Sequence, residues 1–202
     1  MNLPNKLTLM RMILVPVVVV FFYLGALAPL FYYLATAMFI IAAITDFFDG
    51  YLARKHNLIT DFGKFMDPLA DKALVLVALI LIVDKGLVAE LIPAPYTLFT
   101  ALNLIAPISL IIMLIRELVV SGVRLVGANK GVVIAADKLG KIKTFTQDIA
   151  LPILLLSYAF VGPLYCVFAY VGIAFLVAAS IVSVISGIQY IVKNINLFDE
   201  AK

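Results

Sequence analysis

Between residues 46 and 72 the chain reads DFFDGYLARKHNLITDFGKFMDPLADK, and five aspartates fall within 26 residues of it. Asp46 and Asp49 are three apart, and Asp67 and Asp71 are four apart. On helices, either spacing puts both carboxylates on one face. Four like charges brought together repel one another, so the cluster is tolerable when cations sit among them. Carboxylate oxygens suit hard divalent ions, and two Mg²⁺ or Mn²⁺ ions are expected at Asp46, Asp49, Asp67 and Asp71. Gly50 and Gly63 leave room for a bulky ligand against the backbone. Ala53 keeps the same face shallow one turn beyond Asp49, and Arg54 offers a fork of donors for phosphate oxygens. Together these residues describe metals held over a diphosphate. Singly, each has a plainer explanation. Asp67 before Pro68 fits a helix N-cap with proline in the first turn. Asp46 and Asp49 fit interfacial charges, and Gly50 fits close packing. All of these coincidences at once, in this order, favour the site.

The elements that position such a site must lie in lipid. The chain is 65% hydrophobic and 13% charged, with a mean hydropathy of +1.16, well beyond the usual range of soluble domains. At 202 residues it has room for one membrane domain, 1–202. Cys166, the only cysteine, excludes an intrachain disulfide and a cysteine-based metal site, and it lies in an apolar run. Nothing in the pattern suggests a nucleic-acid partner.

Apolar runs between charges and Pro/Gly breaks predict an all-α integral membrane protein with six transmembrane helices. They lie near Ile13–Leu27, Leu30–Leu52, Pro68–Val83, Leu98–Ile115, Phe145–Phe160 and Leu164–Val192. A short amphipathic N-terminal surface segment is expected ahead of the first. On this layout 14 of the 15 Lys and Arg residues fall on one side and only Lys85 on the other. The positive-inside rule then puts both termini and the active site on the cytoplasmic side of a multi-pass cell-membrane protein. Residues 1–28 also carry a basic start, an apolar run and "ALA" at 26–28, resembling a signal-peptidase site. Cleavage would strand the terminus outside, so the first span is expected to be retained.

The eight spaced residues Asp46, Asp49, Gly50, Ala53, Arg54, Gly63, Asp67 and Asp71 resemble the signature of the CDP-alcohol phosphotransferase family, without departure. The opening MNLPNKLTLMRMILVP, together with DPLADK, IRELVVSGVRLV and KLGKIKT, is similar to its bacterial subgroup that forms phosphatidylglycerol phosphate. The resemblance implies transfer of a phosphatidyl group from CDP-diacylglycerol to sn-glycerol 3-phosphate, with CMP released. It also implies two divalent ions on the four aspartates, with Asp71 as general base. Asp49, Gly50, Ala53, Arg54 and Gly63 would contact the cytidine diphosphate part. It further implies a homodimer among membrane lipids and a bacterial source. The nearest alternatives are the same reaction on serine or inositol phosphate, and, from a different class, a cation transporter.

An anionic acceptor needs basic partners, and Arg116, Arg124, Lys141 and Lys143 are the candidates for its phosphate. Glu117 is set to orient one arginine. The plainer reading of these cations is a positive-inside loop facing anionic lipid heads. Asn5, Thr8 and Arg11 recur at helical spacing near the N-terminus. They fit either a cap over the active site, with Asn5 and Thr8 touching CDP-diacylglycerol, or an anchor for that segment. His56, the only histidine, fits a solvated loop position.

Overall fold

Long runs of Leu, Ile, Val, Ala and Phe leave the backbone no polar partners but its own, so each run closes into a helix. The computed structural model describes residues 3–55, 61–86, 96–132, 134 and 138–198, and among these every regular element is helical. The order is α1 Leu3–Leu24, α2 Leu30–Lys55, α3 Asp61–Lys85, α4 Tyr96–Asn129, α5 Lys138–Ser157 and α6 Pro163–Lys193, followed by a short 3-10 turn at Ile195–Phe198.

Three of these helices contain stretches long and apolar enough to cross a membrane, at Asn5–Leu24, Leu102–Asn129 and Pro163–Lys193. Leu30–Thr45 is a shorter apolar helix. Their outer faces carry exposed Ile108, Ile115, Ile181 and Ile188, the dress of a membrane protein. Four of the six expected runs fall wholly within one helix, while Ile13–Leu27 runs three residues past the end of α1 and Phe145–Phe160 three past the end of α5.

Three differences from the expected layout matter for the site. The N-terminal residues do not form a separate surface segment, because α1 is continuous from Leu3. Asn5, Thr8 and Arg11 are buried on it. α3 begins at Asp61, so Asp67 lies inside the helix and is not the N-cap that Pro68 suggested. α4 runs on to Asn129, which puts Arg116 and Arg124 on a helix rather than in a loop. In each case polar turns extend a helix beyond its apolar run.

All six helices feed one core, including Phe22, Phe39, Leu79, Met113, Leu154 and Leu176. Much of the packing uses small residues, with Ala35, Ala42, Ala78, Ala150 and Ala179 fully enclosed. Lipid tails are as apolar as leucine, so close approach of backbones, more than hydrophobic burial, holds such helices together. α6 shows the pattern clearly. Tyr165, Ala169, Gly172, Leu176, Ala179, Ser183, Ser186 and Tyr190 recur every three or four residues and form one buried stripe. That stripe ends at Ser186 and Tyr190, against the polar end of the bundle.

Candidate active site

The polar end holds a cavity of about 240 Å³ between α3, α4, α5 and α6. α3 contributes Asp71 and Lys72, α4 contributes Arg116, Glu117, Ser121 and Arg124, α5 contributes Gly140, Lys141, Lys143 and Gln147, and α6 contributes Tyr190. Met113, Val75 and Leu76 supply apolar wall. Five basic side chains and two carboxylates therefore line one space, an excess of three positive charges. Such a space suits a ligand carrying a phosphate.

Four of the five cations, Lys72, Arg116, Arg124 and Lys143, are held by side-chain hydrogen bonds. Glu117 Oε1 accepts from Arg116 Nη1 and from Lys143 Nζ, each at 3.0 Å. The second arginine nitrogen, Nη2, donates to Ser186 Oγ on α6 at 2.9 Å. Arg124 Nε donates to the Tyr190 hydroxyl at 3.1 Å, its guanidinium 5.9 Å from that ring's centroid. Lys72 Nζ donates to Ser121 Oγ at 2.6 Å, and Ser121 in turn donates to the Glu117 carbonyl. Two glycines make room for Arg116. A Cβ at Gly140 would stand 3.1 Å from Nη2, and one at Gly187 would stand 3.3 Å from Cγ. The local sequence explains the pairing. Gly140, Lys143 and Gln147 are spaced three and four apart on α5, so they share one face.

Next to this cavity, Thr8 on α1 donates its hydroxyl to Asp67 Oδ1 on α3, a contact between residues 59 apart in sequence. A hydrogen bond to a charged group contributes about 1.5–3 kcal/mol, so it fastens α1 to α3 where the aspartates begin. Gly63 is buried on the same helix.

Of the residues expected to do chemistry, Asp71, Arg116, Arg124, Lys141 and Lys143 come together around the cavity. Asn5, Thr8, Gly63 and Asp67 are not among its lining residues. Asp46, Asp49, Gly50, Ala53 and Arg54 fall on the last turns of α2, and their side chains lie outside the described residues, as does His56. Among the described residues no group of three metal-ligating side chains assembles. Asp67 and Asp71 nevertheless share a face of α3 one turn apart and offer only oxygen donors, which fits hard divalent ions. Sequence reasoning missed Lys72, Ser121, Gln147 and Tyr190 as lining residues. The three-and-four spacing on α5 could have pointed to Gln147, whereas nothing local marks Tyr190.

A family model for CDP-alcohol phosphatidyltransferase matches residues 1–188. The chain belongs to that family. Several curated relatives in this phosphatidyltransferase family cover nearly the whole chain. One from Bacillus subtilis (strain 168) is 42% identical over 205 residues, spanning 96% of this chain and 95% of its own. One from Rickettsia felis is 38% identical over 189 residues, 94% of this chain and 93% of its own. One from Salmonella choleraesuis is 38% identical over 193 residues, with the same coverage. All three are named CDP-diacylglycerol–glycerol-3-phosphate 3-phosphatidyltransferase. Membership in a phosphatidyltransferase family gives a membrane setting for the cavity and a reason for its surplus of positive charge.

Proposed function

We propose that this chain transfers the phosphatidyl group of CDP-diacylglycerol to sn-glycerol 3-phosphate, giving phosphatidylglycerol phosphate and CMP. The observation that carries it is the single cavity joining Asp71 to Arg116, Arg124, Lys141 and Lys143. A carboxylate beside a cluster of cations is what deprotonating an alcohol that bears a phosphate requires. The names of the relatives support the same acceptor. Serine, a zwitterion without phosphate, would leave the surplus positive charge unanswered.

Asp71 accepts the proton of the acceptor's primary hydroxyl, and that oxygen attacks the phosphatidyl phosphorus. The bond from phosphorus to the CMP oxygen breaks, and the electron pair leaves with CMP. Arg116, Arg124, Lys141 and Lys143 bind the acceptor's phosphate, while Glu117 holds Arg116 and Lys143 in place for it. Asp46, Asp49, Asp67 and Asp71 would hold two Mg²⁺ or Mn²⁺ ions. When bound, these ions supply stabilisation for charge growing on the phosphoryl and leaving oxygens. Asp49, Gly50, Ala53, Arg54 and Gly63 would contact the cytidine diphosphate part, together with Asn5 and Thr8. The same proposal includes residues 1–202 as one domain, six spans, a cytoplasmic site and a homodimer.

The test is CMP release by the detergent-purified protein with CDP-diacylglycerol and Mg²⁺, offering glycerol 3-phosphate, serine or inositol phosphate. Turnover is expected with glycerol 3-phosphate alone, lost in chelator and reduced at least a thousandfold in Asp71→Asn, about 4 kcal/mol of barrier. Turnover with serine or inositol phosphate instead would overturn the acceptor. An active Asp71→Asn protein would remove Asp71 as the base.

A further inference from the structure

Among the described cavity-lining side chains, Gln147 is the one that leaves both a buried donor and a buried acceptor without a partner, whereas Arg116 leaves only the donor Nε. Gln147 sits on α5 one turn beyond Lys143 and is only 1% exposed. Neither its Oε1 nor its Nε2 has a hydrogen-bond partner. Buried amides are nearly always satisfied, so an open donor and an open acceptor together at a cavity wall mark a place where a ligand completes the pair. The charged lining groups cannot offer both, and the hydroxyls each already have a protein partner. Lysine and arginine only donate, and ionised carboxylates only accept. Ser121 and Thr144 donate their hydroxyls to the backbone carbonyls of Glu117 and Gly140, and Tyr190 accepts from Arg124.

We propose that Gln147 is the residue that reads the secondary hydroxyl of the acceptor, and so sets specificity for a glycerol phosphate over a simpler alcohol phosphate. The chemistry is complementary, because a hydroxyl gives one proton and accepts another, and a carboxamide offers both partners. Position agrees with this. Lys143, tied through Glu117 to Arg116, marks the phosphate end, and Gln147 lies about 6 Å farther along the helix axis. Asp71 lines the same space from α3. A three-carbon acceptor reaching from the cations to Asp71 carries its middle hydroxyl past the amide. This inference rests on the proposed acceptor being glycerol 3-phosphate.

The experiment compares kcat/KM for sn-glycerol 3-phosphate and for 3-hydroxypropyl phosphate, which has the same length but lacks the secondary hydroxyl. Wild type, Gln147→Leu and Gln147→Met are each assayed as the Mg²⁺-loaded full chain, and the thermal stability of each is recorded. Wild type is expected to favour the glycerol compound at least tenfold, since an analogue that cannot pair the amide leaves it unsatisfied. In both variants that ratio is expected to fall to within about threefold of unity, through loss on glycerol 3-phosphate alone. Melting temperature should hold or rise, because no protein partner is lost. Gln147→Met preserves the side chain's length in case Gln147→Leu does not fold. An unchanged ratio, or equal losses on both acceptors with a lower melting temperature, would overturn the assignment of Gln147 alone. Turnover of neither phosphate by wild type would overturn both the acceptor and this inference.

Discussion

Glu117 decides how the cations of the cavity behave. Its carboxylate sits between Arg116 and Lys143, whose side chains are 11% and 7% exposed, so solvent screens the pairs little. Two opposite effects follow from neutralising it. Removing a negative charge would draw an anionic acceptor more strongly, while losing two hydrogen bonds would free the cations to turn away. Hydrogen bonds to charged groups contribute about 1.5–3 kcal/mol, and two are lost together, whereas the cavity keeps its surplus of positive charge with or without this carboxylate. Positioning should therefore win. Glu117→Gln is expected to lower kcat/KM for glycerol 3-phosphate by roughly tenfold to a hundredfold, with KM for CDP-diacylglycerol nearly unchanged. A tighter acceptor KM with undiminished kcat would instead make Glu117 a mere tempering charge. At this scale the charged residues were legible beforehand, because a charge in so apolar a chain is costly and calls for a reason. Gln147 was not legible, since an amide announces itself only when its lack of partners is seen in three dimensions. The contact of Thr8 with Asp67 was hidden for a related reason, being a pairing of two helices far apart in sequence.

Elements carry these residues to one place, and the α5–α6 pair is the most extensive of the helix contacts. Gly172 lets the two helices approach. A Cβ there would stand 2.6 Å from Leu154 Cδ2 and Cγ, and Leu154 is 1% exposed with no free space to enter. Replacing a helical glycine by alanine ordinarily stabilises by about 0.5–1 kcal/mol, but overpacking a filled interface costs about 1–3. The clash should prevail. Gly172→Ala is expected to lower the apparent melting temperature in detergent by roughly 2–8 °C. Gly122→Ala, whose Cβ meets nothing within 4 Å, should leave it unchanged or raise it. Equal stability of the two variants would refute tight α5–α6 packing at Gly172. The existence and order of the helices were legible from apolar runs, but their ends were not. α3 starts seven residues before Pro68, and α4 continues well past Ile115, because polar turns at a site extend a helix without any hydrophobic signal. Those added turns are where Asp67, Arg116 and Arg124 sit.

Across the whole molecule the two ends differ in chemistry. One end holds the cavity and its cations. About 21 Å away along α3, Lys85 follows Asp84, which accepts a hydrogen bond from the Tyr23 hydroxyl. There Tyr158 donates to the Gly86 carbonyl at 2.7 Å and packs with Phe22, Tyr32 and Tyr165. Aromatic rings gather at membrane interfaces, and lysine and arginine gather on the cytoplasmic side, so the aromatic end should face out and the basic cavity in. That orientation also matches the chemistry, since a free phosphate acceptor must reach the cavity from water on its own side of the membrane. The single native cysteine makes the orientation easy to probe. With Cys166→Ser as background, Lys85→Cys and Lys130→Cys each place one thiol at an exposed position, at opposite ends of the bundle. In right-side-out spheroplasts an impermeant maleimide is expected to label Lys85→Cys at once, and Lys130→Cys only after permeabilisation. The reverse order would turn the molecule over and take the acceptor from outside the cell. Labelling of both from outside would break the link between charge and sidedness, and with it the six-span arrangement that puts 14 of the 15 basic residues together.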